Sequence, residues 1–243
     1  LCFPFVTLIT AFANLFGLGG APLCAMARGK GNREGAQGIM VNAGFMLLLS
    51  GAVLTVLGIA FHRPLLYLFG ASEITYPYAS SYIVIYLLGT LCVMLSLGLN
   101  PYINCQGFAR TGMLTVALGA AANIVLDPIF IFALHLGVRG AAIATVLSQF
   151  LSAAWVVKFL TGKKAELKLN FRGFRPDWHC IQRITVLGIA SFVMSFTDML
   201  VQVACNSMLR GFGGDLYISV MTVLNSVRQI AQTPVLAIAD GAS

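Results

Sequence analysis

Apolar runs of about twenty residues or more recur along this chain, with short polar breaks between them. A helix needs about 20 such residues to cross a hydrocarbon core of roughly 30 Å. Inside lipid every backbone N–H and C=O must find its partner within the protein, so a run of this length folds as a helix. Charge reinforces the point: only 9% of the 243 residues are charged, against about 25% in soluble domains. The chain cannot clothe a water-facing surface. The fold class expected is an all-α polytopic membrane protein.

Seven spans are expected, at about 3–26, 37–61, 78–105, 113–135, 138–160, 181–209 and 216–239. Between the second and third, "HRPLLYLFGASEITYP" reads as a short interfacial segment. A net charge of +7 could suggest nucleic acid, but nearly all the Lys and Arg lie between the apolar runs and read as topology signals. Short cytoplasmic loops carry an excess of Lys and Arg. The first, third and fifth loops hold Arg28, Lys30, Arg33, Arg110, Lys158, Lys163, Lys164, Lys168, Arg172, Arg175 and Arg183, eleven of the fifteen basic residues. The loops between them are nearly neutral. Loops one, three and five are therefore expected to face the cytoplasm, and the alternation supports the count of seven.

The longest polar stretch, 158–183, reads as a linker between two halves of a membrane domain, with units at 1–160 and 181–243 and the linker at 161–180. "TAFANLFGLGGAPLCAMARGKG" and "TVLNSVRQIAQTPVLAIADGAS" echo each other across it, as repeated halves do in secondary transporters. The first run begins at Leu1 without the basic flank of a signal peptide, and the last stops at "VLAIADGAS". The chain is thus expected to be an internal piece of a longer protein.

Enzyme and metal signatures fail. "GLGGAP" is followed by no Lys-Ser/Thr and preceded by no strand, so it is no phosphate loop. His62, His135 and His179 fall at span ends without ligand spacing. The six cysteines show no CxxC and read as small packing residues.

What remains is the set of polar residues within the spans. Asp127, Asp198 and Asp240 are the acids, and Arg228 is the deep base. A charge at mid-bilayer costs about 2.5–3.5 kcal/mol on insertion scales, so such residues usually face a cavity. Asp127 lies in "AANIVLDPIFIF". Asn123, four residues earlier, shares its helix face. Pro128 has no N–H to donate, so the Ile124 carbonyl loses its partner and the helix can bend there. Carboxylate, amide and freed carbonyl would then share one small region of the outer half of the bilayer. An apolar setting penalises the charged carboxylate, which suits a proton carrier, and a bare cation could compete for the same place. The competing reading is a packing acid, hydrogen-bonded to a neighbour. Asp198, in "SFVMSFTDMLVQ", carries the same two readings with less support, and Asp240 is close enough to the chain end to be interfacial. The asparagines at 14, 42, 100, 104, 206 and 225 read as interhelical glue.

"GLGGAPLCAMARGKGNREGA", "NCQGFARTGM", "AANIVLDPIFIF" and "LGVRGAAIATVLSQ" follow one another in the order and spacing of the multidrug and toxic compound extrusion (MATE) transporters. The chain resembles that family from its second helix to its eighth. The resemblance implies part of a two-lobe, twelve-helix fold that exports cationic, amphipathic compounds in exchange for H+ or Na+. It places Asn123 and Asp127 at the fifth-helix pair implicated in coupling-ion binding, and Thr145 at a nearby sixth-helix hydroxyl. It places Asp198 where some sodium-coupled members carry an acid in the second lobe. The family's first helix and helices nine to twelve, each group with an acid of its own, have no counterpart in the sequence. The expectations are small organic cations and membrane lipid as partners, and no nucleic acid. No cofactor is expected beyond the coupling ion, and no metal beyond Na+ at Asp127 or Asp198. A monomer is expected, in the bacterial cytoplasmic (inner) membrane. A flippase for lipid-linked oligosaccharides shares the architecture but lines its cavity with several Lys or Arg, and only Arg228 is deep here. A seven-helix receptor fits by count alone.

Overall fold

The computed structural model describes residues 2–171 and 176–242, and all the regular structure among them is helical. Arg172 and Arg175 lie outside the described residues, as do the side chains of Arg210, Asp215 and Asp240. The helices are α1 (Phe3–Gly29), α2 (Arg33–Leu68), α3 (Tyr76–Leu88), α4 (Thr90–Cys105), α5 (Ala109–Pro128), α6 (Gly137–Thr161) and α7 (Trp178–Ala242). A π-helical turn, Ile129–Ala133, extends α5.

Among the described residues five stretches are long and apolar enough to span, and α3 with α4 makes a sixth if the bent pair is counted as one. Expectation and structure agree closely for α1, α5 and α6. Three expectations are corrected. The run at 78–105 is not one straight span: it bends by 56° at Gly89. A Cβ at Gly89 would stand 2.6 Å from the Val146 side chain of α6, so glycine lets α6 press into the bend. The segment at 62–77 does not lie apart as an interfacial piece. Its first half continues α2 through Pro64 to Leu68, and Tyr76 already begins α3.

The third correction concerns the expected turn at 210–215, which is helical: α7 runs unbroken for 65 residues, about 97 Å at the α-helical rise. The expected seventh span, at 216–239, is thus not set off by a turn, and most of its side chains lie outside the described residues. Helix hydrogen bonds are local, and a helix stops only where capping or packing turns the chain. Beyond Leu209, Tyr217, Val220, Val223, Leu224 and Val227 are exposed and Met221 is half-buried.

The core lies between α1, α2 and α4, around the fully buried Met40, Leu47, Met94, Leu99, Tyr102 and Ile103. The Tyr102 hydroxyl donates to the Phe16 carbonyl at 2.8 Å. Small residues let backbones approach where lipid offers no hydrophobic drive between helices. A Cβ on Gly19 of α1 would come 2.7 Å from the Gly188 nitrogen of α7. Further along, Phe12 and Phe192 meet edge to face at 5.0 Å.

The polar stretch after α6 is packed against the basic end of the bundle. Ala165, Leu167 and Leu169 are buried there. Arg28 pairs with Glu166 at 2.8 Å and donates to the Cys105 carbonyl at 2.9 Å. Gln106, itself buried, accepts from the Leu167 N–H at 3.0 Å and donates to the Tyr102 carbonyl at 2.9 Å. Gln106→Leu strands the Leu167 amide, at a cost of about 1–3 kcal/mol. Limited trypsin digestion at Lys163, Lys164 and Lys168 is expected to run at least about fivefold faster in that variant. Unchanged cleavage would mean that Gln106 does not hold the segment.

Candidate functional site

The site is built where α6 packs on both α3 and α5, near the end of the bundle opposite the basic loops. Thr115 and Ser152 bring α5 and α6 together, the Ser152 hydroxyl donating to the Thr115 carbonyl at 3.1 Å. The Asn100 amide ties α4 to α5 by donating to the Gly112 carbonyl at 3.0 Å. These contacts leave the later turns of α5 with a half-buried polar face.

That face carries Asn123 and Asp127. The Asn123 amide donates to a carboxylate oxygen of Asp127 at 3.3 Å, the pairing that their four-residue spacing allows. Asp127 stands 18 residues into α5, about 27 Å along it. Pro128 directly follows, and the helix changes there to the π turn. The Leu134 N–H reaches back five residues to the Ile129 carbonyl at 3.0 Å. A widened turn beside a functional side chain is a recurrent combination.

Thr145 lies on the facing wall. Its hydroxyl donates to the Ala141 carbonyl at 2.9 Å within α6. Tyr82 on α3 is half-buried on the side of Thr145, and α3 packs on α6. Tyr82 stacks on Tyr86 at a centroid distance of 6.1 Å. Counted from the neighbouring helix ends, Tyr82 is 6 residues in, Thr145 is 8 and Asp127 is 6. Each is thus about 9–12 Å from that end of the bundle. Equal depth is what lets residues distant in the chain meet.

The structure pairs Asn123 with Asp127, sets Pro128 directly after them, and carries Thr145 on α6, the helix that packs on α5. It does not bring Asp198 to them: that acid is exposed on α7, while α5 packs on α4 and α6. Tyr82 does not stand out from the sequence. Its only signal there is a tyrosine pair four residues apart in "SYIVIYLL", a pattern that aromatic core packing also produces.

The MatE family model matches residues 1–129, more than half of the chain. The chain belongs to the MatE family. Multidrug export protein MepA of Staphylococcus haemolyticus is 28% identical over 213 residues, which cover 88% of this chain and 47% of that protein. Among solved structures, the inward-facing conformation of a multidrug resistance MATE family transporter superposes with a TM-score of 0.92 at 27% identity. That match takes in 98% of this chain and 54% of the other. A MOP superfamily transporter from Pyrococcus furiosus gives 0.86 at 28% identity, over 98% and 53% of the two chains. This MatE chain spans about half the length of the relatives it matches. With its apolar helices of spanning length, it is an integral membrane protein. The matched region closes just past Asp127 and Pro128, so the acid and its amide fall inside it and Thr145 beyond it.

Proposed function

We propose that this chain forms most of the first lobe, and the start of the second, of an antiporter that exports organic cations in exchange for H+ or Na+. On this reading 161–180 is the inter-lobe linker, and the protein works as a monomer in the bacterial cytoplasmic membrane. The observation that carries the proposal is the half-buried Asn123–Asp127 pair on α5, an acid and an amide within an apolar span that packs on α6.

The ionised Asp127 carboxylate accepts hydrogen bonds only, and donors on Asn123 and Tyr82 can supply them. Taking up a proton removes the charge and turns one oxygen into a donor, so the bonds across the cluster must rearrange. A sodium ion would instead draw oxygens from Asp127, Thr145 and the Asn123 carboxamide. Either event changes the polar contacts at the end of α5 that packs on α6. The π turn after Pro128 gives the end of α5 a second backbone arrangement to adopt. Substrate would leave as the two lobes rock between inward-open and outward-open states.

The test is export of a fluorescent organic cation by the full-length transporter in proteoliposomes, under an imposed proton or sodium gradient. Transport driven by one gradient supports antiport and names the ion. Transport indifferent to both would overturn the reading. Residues 1–243 alone are expected to move no substrate, since the site would lack its second lobe. Sustained gradient-driven uptake by that piece would show that one lobe suffices. Tyr82→Phe, which removes one hydrogen-bond partner, should weaken ion coupling about 3- to 10-fold. That effect is read as the ion concentration giving half-maximal transport.

A further inference from the structure

A cavity of about 340 Å³ opens at the basic end of the bundle, beside the last turn of α6 and far from Asp127. Its apolar wall is Trp155 and Phe159, and Thr111 of α5 adds a hydroxyl. Lys158, Lys163 and Lys164 close it. Glu166, the nearest acid in sequence, is taken by Arg28. Among the described residues none of the three lysines has an acidic partner. Phe108, at the start of α5, packs edge to face on Phe159 at 5.2 Å and caps that helix with no side-chain hydrogen bond. The Thr111 and Gly112 N–H groups turn back to the Phe108 carbonyl, at 2.8 and 3.1 Å, so the charge offered to a ligand here is that of the lysines.

A second feature separates a lipid from a free anion. Leu147, Leu151, Trp155 and Lys158 follow at intervals of four, four and three residues, so they line one face of α6. Leu147 is 38% exposed, Leu151 43% and Trp155 39%. That face is an apolar track which ends in an indole and then in ammonium groups. Tryptophan favours the membrane interface. Basic pockets between helices at that level hold anionic head groups. The order of chemistry along α6 matches a phospholipid from acyl chain to phosphate, whereas a soluble phosphate would have no use for the track.

We propose that this cavity binds the phosphate head group of an anionic phospholipid, with its acyl chains laid along the Leu147–Leu151–Trp155 face. The chain's two tryptophans make the site readable. Trp178→Phe, at an exposed position, leaves Trp155 as the sole tryptophan reporter. The chain is placed in phosphatidylcholine nanodiscs with increasing amounts of phosphatidylglycerol, or of further phosphatidylcholine, brominated on the acyl chains. Brominated phosphatidylglycerol is expected to quench Trp155 at a several-fold lower mole fraction than brominated phosphatidylcholine. Lys163→Gln with Lys164→Gln should weaken that preference roughly tenfold, at about fivefold or less per lysine. Lys30→Gln with Arg33→Gln removes the same charge from the first loop and should leave the preference intact.

Equal quenching by the two lipids would overturn the proposal. So would an equal loss in both double variants, because the effect would then be general surface charge. Displacement of phosphatidylglycerol by sub-millimolar inorganic phosphate would overturn the lipid assignment in favour of a soluble anion. None of these outcomes depends on transport, so the result stands apart from the antiport reading.

Discussion

Asp127→Asn in the full-length transporter is expected to abolish gradient-driven efflux, leaving less than about 1% of it, while the protein still inserts and folds. The substitution keeps the shape of the side chain and an oxygen for the Asn123 amide, which donates to Asp127 at 3.3 Å. It removes the charge, and with it the capacity to bind a proton or to neutralise a cation. A site that cannot change its charge cannot link substrate movement to an ion gradient. Insertion should not suffer, since a buried charge costs about 2.5–3.5 kcal/mol on insertion scales and the amide avoids that cost. Efflux is measured with a fluorescent cation, and folding by thermal unfolding in detergent. Full activity in Asp127→Asn would make Asp127 a packing acid. The coupling group would then have to be sought elsewhere, first at Asp198.

The largest structural effect is expected from Gly188→Leu. A Cβ at this position would collide with the Leu15 carbonyl, and the nearest part of α1 is backbone. Backbone cannot rotate aside as a side chain can. The helices must therefore move apart, which also loosens the Phe12–Phe192 contact at 5.0 Å. Overpacking typically costs 1–3 kcal/mol and sometimes more, and the loss here should lie at the upper end, about 3 kcal/mol. For a chain of this size that is a fall in Tm of about 6–12 °C. Gly38→Leu is the control, because a Cβ there meets nothing within 4 Å. Similar falls for both variants would show that leucine in any helix, and not the α1–α7 approach, is responsible.

Much of the candidate site is legible in the residues themselves. Asp127 stands out because an acid in an apolar run is costly, and Asn123 follows from the helical repeat. Pro128 predicts an irregularity, which takes the form of the π turn at Ile129–Ala133. Thr145 comes from the family resemblance, since a single threonine in an alanine-rich helix has no signal of its own. Tyr82 escapes because its role depends on helix packing: it lies 45 residues before Asp127 in the chain. The docking of Leu167 and Leu169 escapes for a different reason. Alternating Leu and polar residues in "AELKLN" look like any loop until the pocket beneath them is known. The bend at Gly89 and the continuation of α7 past Leu209 are likewise invisible in the sequence. Glycine permits a bend or a turn without requiring either.

The sequence by itself determined the helical class, the position of most spans and the presence of one costly acid. Lipid leaves a backbone no partner but itself, so apolar length alone dictates helix. Only the tertiary structure decided which polar side chains meet, where helices bend and where the loops dock. Those outcomes rest on contacts between residues far apart in the chain, at depths and angles that no local pattern encodes.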